Sequence, residues 1–371
     1  ELRLQGELCF PEMPLRASNQ GDSESNSSKI TKVFYSDNGS TAVEVALKMA
    51  YQYWLQIGFP KKNKFISLKN SYHGDTLGAV SVGGVDVYHK IYKPLLFEVF
   101  QADSPYCYRC PANCEQNSCH IECLNSVEKI LEKYAEEIAG IIIEPLVQAA
   151  GGMIIYPAEY LVKLRKLCDK YNILLIDDEV AMGFGRTGKM FAYEHANIVP
   201  DLICLAKGIT AGYLPLSVTM TTDKIYQAFY DDYDRMKTFF HGHSFTGNPL
   251  AAAVAVENLK IFEEEKIIES LQPKIKKLKS SLEKFRNIDC IGDIRHIGMI
   301  GAVEIVKNKA TKEPYAFEER IGLKIYKEAL KRGAIIRPLG SVIYFMPPYV
   351  ITEEEIDNLT DIAVQSIKSV L

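Results

Sequence analysis

Residues 171–210 read YNILLIDDEVAMGFGRTGKMFAYEHANIVPDLICLAKGIT. Two short apolar runs, YNILLIDDEV (171–180) and DLICLA (201–206), open and close this stretch. Apolar runs of this length, bounded by turn signals, suit strands buried on both faces. Each run ends in charge: the first in Asp177, Asp178 and Glu179, the second in Lys207. Carboxylates and ammonium groups are the side chains least often buried, so their place at the ends of apolar strands needs a reason. In parallel α/β sheets, ligands gather at the carboxyl ends of strands.

The same alternation extends outward. AGIIIEP (139–145) is another apolar run, and PAEYLVKLRKLCDKY (157–171) between the runs reads as a helix with Pro157 at its first position. Upstream, KVFYSDNGSTAVEVALKMAYQYW (32–54) gives a strand at Val33–Tyr35 and a turn at Ser36–Ser40. A helix follows, with Val43, Ala46, Leu47, Ala50, Tyr53 and Trp54 at helical spacing. Strands alternating with helices predict an α/β fold with a mainly parallel sheet covered on both faces. After about residue 262 the texture changes: Lys- and Glu-rich helices (263–286), HIGMIGAVEIV, a helix (317–332), AIIRPLGSVIYFMPP and a last helix (352–370). The expected organisation is a large domain over 32–262 and a small α+β C-terminal domain over 263–371. Residues 1–31, with ASNQGDSESNSSK, are polar and unpatterned and read as a disordered or truncated segment.

The chain has 371 residues, 47% hydrophobic, with net charge −4. That balance gives no electrostatic case for nucleic acid or an anionic membrane. No uninterrupted apolar window reaches the length of a membrane span. Of nine cysteines, Cys9, Cys168, Cys204 and Cys290 are scattered, while CYRCPANCEQNSCHIEC holds Cys107, Cys110, Cys114, Cys119 and Cys123. With no secretory signal segment, reduced thiols in the cytoplasm are expected.

Three signals carry chemistry. A strand-end lysine commonly snorkels to solvent. It also serves as a nucleophile toward a carbonyl once an enclosed site lowers its pKa from about 10.4. Asp178 could cap the following turn, or face a ring nitrogen that must stay protonated. In SDNGSTAVE, Gly39 and Ser40 open a helix whose free N–H groups suit a phosphate, although Ser36, Asp37 or Asn38 would cap any helix there. Together they describe a phosphate cradle, a ring-nitrogen partner and an aldehyde partner. GFGRTG (183–188) matches a dinucleotide fingerprint, yet five residues, Asp178 to Met182, part it from the apolar run ending at Asp177, and KMFAYEH makes a poor helix. Cys107-x-x-Cys110 is a zinc-ligand spacing, with His120 nearby, but the other spacings fit no common finger. The stretch reads as a surface insertion of reduced cysteines, with a structural metal as the alternative, and no metal ligand is assigned. HGH (241–243) reads as a turn near the site.

On these residues the chain resembles the class III pyridoxal-phosphate-dependent aminotransferases over about residues 32–371. LLIDDEVAMGFGRTGKMFAYEH followed by PDLICLAKGIT is the most specific stretch. YSDNGSTAVEVALKMAYQYW, SYHGDTLGAVSVGG, GYLPLSVTM, HGHSFTGNPLA and RPLGSVIYFMPPY are similar to the branch that serves biotin synthesis. The resemblance implies fold-type I, with pyridoxal 5'-phosphate as cofactor. It implies a homodimer with a shared active site, and 8-amino-7-oxononanoate and S-adenosylmethionine as substrates. Lysine as donor, another ω-aminotransferase, an aminomutase or an inactive truncated relative are the other readings. By resemblance, Lys207 is the lysine joined to the cofactor aldehyde and Asp178 the partner of the pyridine nitrogen. Gly39 and Ser40 cradle the phosphate, and Tyr72 stacks on the ring and borders the substrate. Ser244 reaches the phosphate from the partner subunit. Gly242, Arg337 and Tyr344 contact substrate, Arg337 through its carboxylate. Glu144 and Gln148 line the site. His243 stands where proline is usual, and Met182 where threonine is usual. The family has a longer N-terminal region that residues 1–31 do not resemble, so an incomplete N-terminus is expected.

Overall fold

The computed structural model describes residues 29–114 and 119–371. The chain begins with β1 (Ile30–Ser36), β2 (Lys64–Leu68), β3 (Phe100–Ala102) and β4 (Ile138–Ile143). A short ladder follows, β5 (Val147–Gln148) and β6 (Ile154–Ile155), and then β7 (Leu174–Asp178), β8 (Leu202–Leu205) and β9 (Ser217–Thr222). Last come β10 (Ile291–Ile297), β11 (Ile300–Ile305), β12 (Pro338–Leu339) and β13 (Val342–Phe345).

Seven strands form one sheet in the order β1-β9-β8-β7-β4-β2-β3. β2, β3, β4, β7 and β8 pair in parallel, while β9 runs antiparallel to both its neighbours. The sheet is therefore mainly parallel, as expected. β4 is buried at all six residues; a register shift at Ala139 changes its phase, and from Ile141 on its side chains alternate between two cores. Ile141 and Ile143 join one of these cores, while Ala139 and Ile142 join the other. The second core is filled by α1 (Gly39–Gln56), which buries Val43, Ala46, Leu47, Ala50, Tyr53 and Trp54. These are the positions whose helical spacing predicted that face. Trp54 also donates its indole N–H to the Ala139 carbonyl at 2.7 Å, so the helix is pinned to β4 as well as packed on it.

The C-terminal sheet is antiparallel throughout, in the order β10-β11-β13-β12. Helices Ile267–Leu282, Ile321–Lys331 and Glu353–Val370 build a separate core against it. The expected boundary at 262/263 falls near the end of helix Pro249–Glu264.

Several boundaries differ from the sequence reading. β1 begins at Ile30, three residues before the predicted Val33, and a register shift between Ile30 and Lys32 breaks the alternation there. Pro157 is the N-cap of helix Ala158–Lys170 rather than its first residue. β8 ends at Leu205, so Lys207 is not the last residue of the strand but opens a 3-10 turn. The expectation for residues 1–28 lies outside the described residues. Among the described residues no helix is long and apolar enough to cross a membrane.

GFGRTG runs through turns and opens no helix, with Phe184, Gly185 and Gly188 at positive φ. Its job in the fold is to seat the C-terminal sheet. Arg186 donates to the Pro347 carbonyl at 2.8 Å, the Tyr349 hydroxyl donates to the Phe184 carbonyl at 2.7 Å, and the Met299 N–H reaches the Arg186 carbonyl at 2.9 Å. Gly298 permits this approach. Its φ is +52°, and a Cβ there would meet the Thr187 carbonyl carbon at 2.2 Å.

Candidate active site

The carboxyl ends of β2, β4, β7 and β8 point the same way, and the start of α1 lies beside them. Asp178 is the last residue of β7 and alternates in phase with Leu174 and Ile176, which pack toward α1. It is buried, at 4% exposure, and both of its oxygens are engaged. Oδ2 is 2.7 Å from His73 Nδ1, and Oδ1 accepts the Val180 N–H at 3.1 Å. His73 is itself buried, and its Nε2 has no partner among the described residues. A buried imidazole with one nitrogen on a carboxylate fixes that carboxylate's rotation and supports its charge.

Lys207 comes from the next strand. Asp178 pairs in register with Cys204 of β8, and Lys207 follows three residues later. It is exposed, with φ +46°. Left-handed backbone at a non-glycine residue costs about 1 kcal/mol or more and clusters at functional sites. The strain turns the chain out of the sheet at that point.

On the other flank of β7, Ile143 of β4 pairs with Asp177, and Glu144 follows directly. Glu144 accepts the Tyr72 N–H and the Ala149 N–H, each at 2.9 Å. Burial pushes its carboxyl up to about 7, against the pull of His73 and of these two N–H groups. The Tyr72 hydroxyl donates to Asp75 at 2.8 Å, and burial, with that bond second, pushes the phenol up to about 12. The Asp75 N–H reaches Ser40 Oγ at 3.2 Å. Gln148 donates to the Lys69 carbonyl and accepts from Ser104. Thus Ser40, Tyr72, Glu144 and Gln148 gather around the end of the sheet that carries Asp178 and Lys207.

The start of α1 is shaped by contact. Asn38 caps it, accepting the Thr41 N–H at 3.1 Å. A Cβ on Gly39 would meet Val180 Cγ1 at 2.7 Å, and one on Gly74 would meet Ser40 Oγ at 2.1 Å. Only bare backbone fits at these two points, which brings the first N–H groups of an 18-residue helix to the end of β7. Those N–H groups have no intrahelical acceptor and suit an anion.

The other expected residues stand apart. Gly242 and Ser244 are exposed in the loop before helix Pro249–Glu264, which approaches α1 through His243 Nε2, 3.8 Å from Asp37. Lys48 is 2.8 Å from His241 Nδ1. Arg337 is exposed just before β12, and Tyr344 is half-buried on β13. Among the described residues no hydrogen bond joins these four to the Asp178 network. Met182 is fully buried in the core beneath the sheet. His73 was not singled out from sequence. Its signal is SYHGD, a histidine in a loop beside an aromatic residue.

Asp177 faces the side of the sheet opposite Asp178. Among the described residues, Asp177 Oδ2 and Glu179 Oε2 are buried with no hydrogen-bond partner, while Glu179 Oε1 accepts the Tyr193 N–H at 3.0 Å. Burial pushes both carboxyls well above the usual carboxylate range, with the Asp178 charge adding to the shift of Asp177 and the Asp177 charge to that of Glu179. The folded pair therefore binds more protons than the unfolded chain between the ordinary carboxylate range and the raised one. Stability contributed by the pair is present at low pH and is lost as pH rises through that window. Asp177→Asn supplies a donor that does not titrate. It should stabilise the chain at pH 9 by about 1–3 kcal/mol, the cost of a buried unpaired acceptor. It should also flatten the loss of stability between pH 5 and 9, measured by urea unfolding. Parallel pH curves for variant and parent would contradict this reading.

A carboxylate, an amine, a helix N-terminus and an aromatic side chain, gathered at one sheet edge, match the needs of a flat anionic pyridine aldehyde. Comparison with known proteins agrees. The class III aminotransferase family matches residues 17–367, so the family pattern reaches further toward the N-terminus than residue 32. The chain is 54% identical, over 92% of its length and 76% of the relative's, to the adenosylmethionine-8-amino-7-oxononanoate aminotransferase of Geobacter sulfurreducens. It superposes with TM-score 0.86 on the crystal structure of the enzyme of that name from Methanocaldococcus jannaschii, at 43% identity, covering 92% of this chain and 76% of that one. An amine transaminase from an uncultivated Pseudomonas species, in its PLP-bound form, superposes with TM-score 0.87 at 34% identity, covering 97% and 84%.

Proposed function

The chain belongs to the class III aminotransferases, and from that premise we propose that it aminates 8-amino-7-oxononanoate to 7,8-diaminononanoate in biotin synthesis, with S-adenosylmethionine as amino donor. The observation that carries the chemistry is Asp178, buried and held by His73, one strand away from Lys207. The choice of substrate rests on the relatives of that name at 44–54% identity.

Pyridoxal phosphate, when bound, supplies the electron sink for charge left on the substrate carbon. The chain's own groups do the rest. Asp178 keeps an anion beside the ring nitrogen, and His73 keeps Asp178 from rotating away. Gly39 and Ser40 offer the phosphate backbone N–H groups and a hydroxyl. Tyr72, half-buried and tied to Asp75, covers one face of the site. The Lys207 amine holds the cofactor and moves the proton at the reacting carbon. Glu144, poised near neutral pH, follows the end of β4, and Gln148 is tied beside it to the Lys69 carbonyl.

Arg337 binds the keto-acid carboxylate in this reading, a bidentate task that guanidinium suits. Losing such a charge-assisted pair costs about 1.5–3 kcal/mol. Arg337→Ala should therefore raise KM for 8-amino-7-oxononanoate about tenfold or more. An unchanged KM for that substrate removes Arg337 from the site.

The working unit is a homodimer in which Ser244 completes the partner's phosphate site. Supporting it, large apolar side chains are exposed around Ser244 and beside the Lys207 turn: Tyr233, Phe240, Phe245 and Leu250 in the first group and Tyr213 in the second are each more than 60% exposed. Mixing Lys207→Ala chains with Ser244→Ala chains should restore activity in the heterodimer. Activity from a monomer in sedimentation would refute the shared site.

The function is tested by supplying the gene to a biotin-requiring bacterium that lacks this aminotransferase. Growth without biotin supports the proposal. Failure to grow, with the chain expressed and soluble, counts against it. Lysine in place of S-adenosylmethionine in the purified reaction decides the donor.

A further inference from the structure

The function proposed above leaves CYRCPANCEQNSCHIEC unused. All five of its cysteines, Cys107, Cys110, Cys114, Cys119 and Cys123, line one small cavity of about 20 Å3. That is room for a single atom-sized guest. None of the five forms a disulfide. Described residues 103–114 and 119–121 contain neither strand nor helix, so the stretch lacks the backbone ladders that fix the rest of the chain.

The loop is nonetheless held firmly to the C-terminal sheet. Arg109 makes two contacts with Glu304 of β11, at 2.7 and 2.8 Å, and the Tyr106 hydroxyl donates to the same carboxylate. Lys312 donates to the Tyr108 carbonyl at 2.7 Å. These contacts hold the loop from outside, and no backbone ladder holds its described residues from within.

The donors for such a link are already assembled. Cys114 Sγ, Cys119 Sγ and a Glu122 oxygen all lie within 4.8 Å of one another. Glu122 is turned back into this position by the His120 N–H at 2.9 Å and the Cys119 thiol at 3.2 Å. Around a tetrahedral zinc ion, bonds of about 2.0–2.3 Å set the ligand atoms about 3.4–3.8 Å apart. The three donors need to draw together by about 1 Å at most to reach that geometry. A fourth donor is at hand. Cys110 lines the same cavity, four residues before Cys114.

We propose that this loop is a structural zinc site, with Cys110, Cys114, Cys119 and Glu122 as ligands, that staples the segment linking the two sheets. The mixed sulfur and oxygen donor set favours zinc. Iron–sulfur clusters are held by thiolates, and the width of the cluster sets those thiolates further apart. On binding, each cysteine gives its thiol proton to solvent and becomes a thiolate ligand, with no change of oxidation state.

The test is metal analysis of the full chain, purified without a metal-binding tag from cells grown with zinc. About one zinc per chain is expected, falling below about 0.2 in Cys119→Ser and unchanged in Cys290→Ser, since Cys290 lies outside the loop. Stripping the ion with a chelator should lower the thermal midpoint, and added zinc should restore it. Where Cys119→Ser does not fold, Glu122→Gln serves instead, with at least about tenfold faster zinc loss to a chelator expected. The proposal is overturned by a parent chain without zinc, by iron and acid-labile sulfide in its place, by full zinc retention in folded Cys119→Ser, or by unchanged zinc loss in Glu122→Gln.

Discussion

Lys207→Ala should leave a folded chain whose transamination falls by about 10^4-fold, the upper end of what a positioned acid–base group contributes. Lys207 is an exposed side chain beyond the end of β8, so its removal opens no cavity in the core. The variant should therefore match the parent in urea unfolding within about 0.5 kcal/mol, as surface substitutions do. It also relieves the left-handed strain at this position little, because alanine carries the same Cβ. Small primary amines added to the variant should recover part of the rate, since they replace the missing amine but not a missing contact. In the parent, borohydride treatment with cofactor present followed by peptide mapping should place the label on Lys207. A label on another lysine, or near-normal turnover in the variant, would remove Lys207 from the chemistry.

Asp178→Asn should cut kcat by about 10^2–10^3-fold, the range seen when one preorganised electrostatic group is lost from an active site. The amide is nearly isosteric and keeps an oxygen toward His73 Nδ1, so the 2.7 Å contact survives with the imidazole donating. What disappears is the negative charge that would hold the ring nitrogen protonated, together with the acceptor for the Val180 N–H, whose place the amide nitrogen takes. KM for the keto acid should change little, because Asp178 lies at the strand end and not beside Arg337. A rise in KM with kcat preserved would assign Asp178 to substrate binding, and unchanged kinetics would make it a mere cap for Val180.

Much of this was legible in sequence because the large sheet is buried on both faces. Strands such as β4 and β7 then appear as uninterrupted apolar runs, and charge at their ends is conspicuous. β9 (SVTMTT) escaped notice because it is rich in threonine. It is nevertheless buried at all six residues, because the hydroxyls of Thr219 and Thr221 donate to the Ala42 and Asp201 carbonyls at 2.8 and 2.9 Å. Hydropathy alone misses polar groups satisfied in this way. The start of β1 was misjudged for a related reason: an edge strand with a register shift keeps no clean alternation.

The site divides along the same line. Lys207, Asp178, Gly39 and Ser40 stand next to regular elements, so their spacing carried information. His73 sits in a loop, and its partner Asp178 is 105 residues away. No periodicity announces such a pair; only folding brings it together. GFGRTG shows the converse. Its glycines imitate a nucleotide loop, while the fold uses the positive-φ turns at Phe184, Gly185 and Gly188 to seat the C-terminal sheet against the large one.

The most direct measurement is the product itself. Purified chain, pyridoxal phosphate, 8-amino-7-oxononanoate and S-adenosylmethionine are combined, and 7,8-diaminononanoate is followed by mass spectrometry, with Lys207→Ala as control. The account predicts diamine formation in many turnovers by the parent and none above background by the variant. A folded parent that binds the cofactor yet forms no diamine from this keto acid with either S-adenosylmethionine or lysine would contradict it.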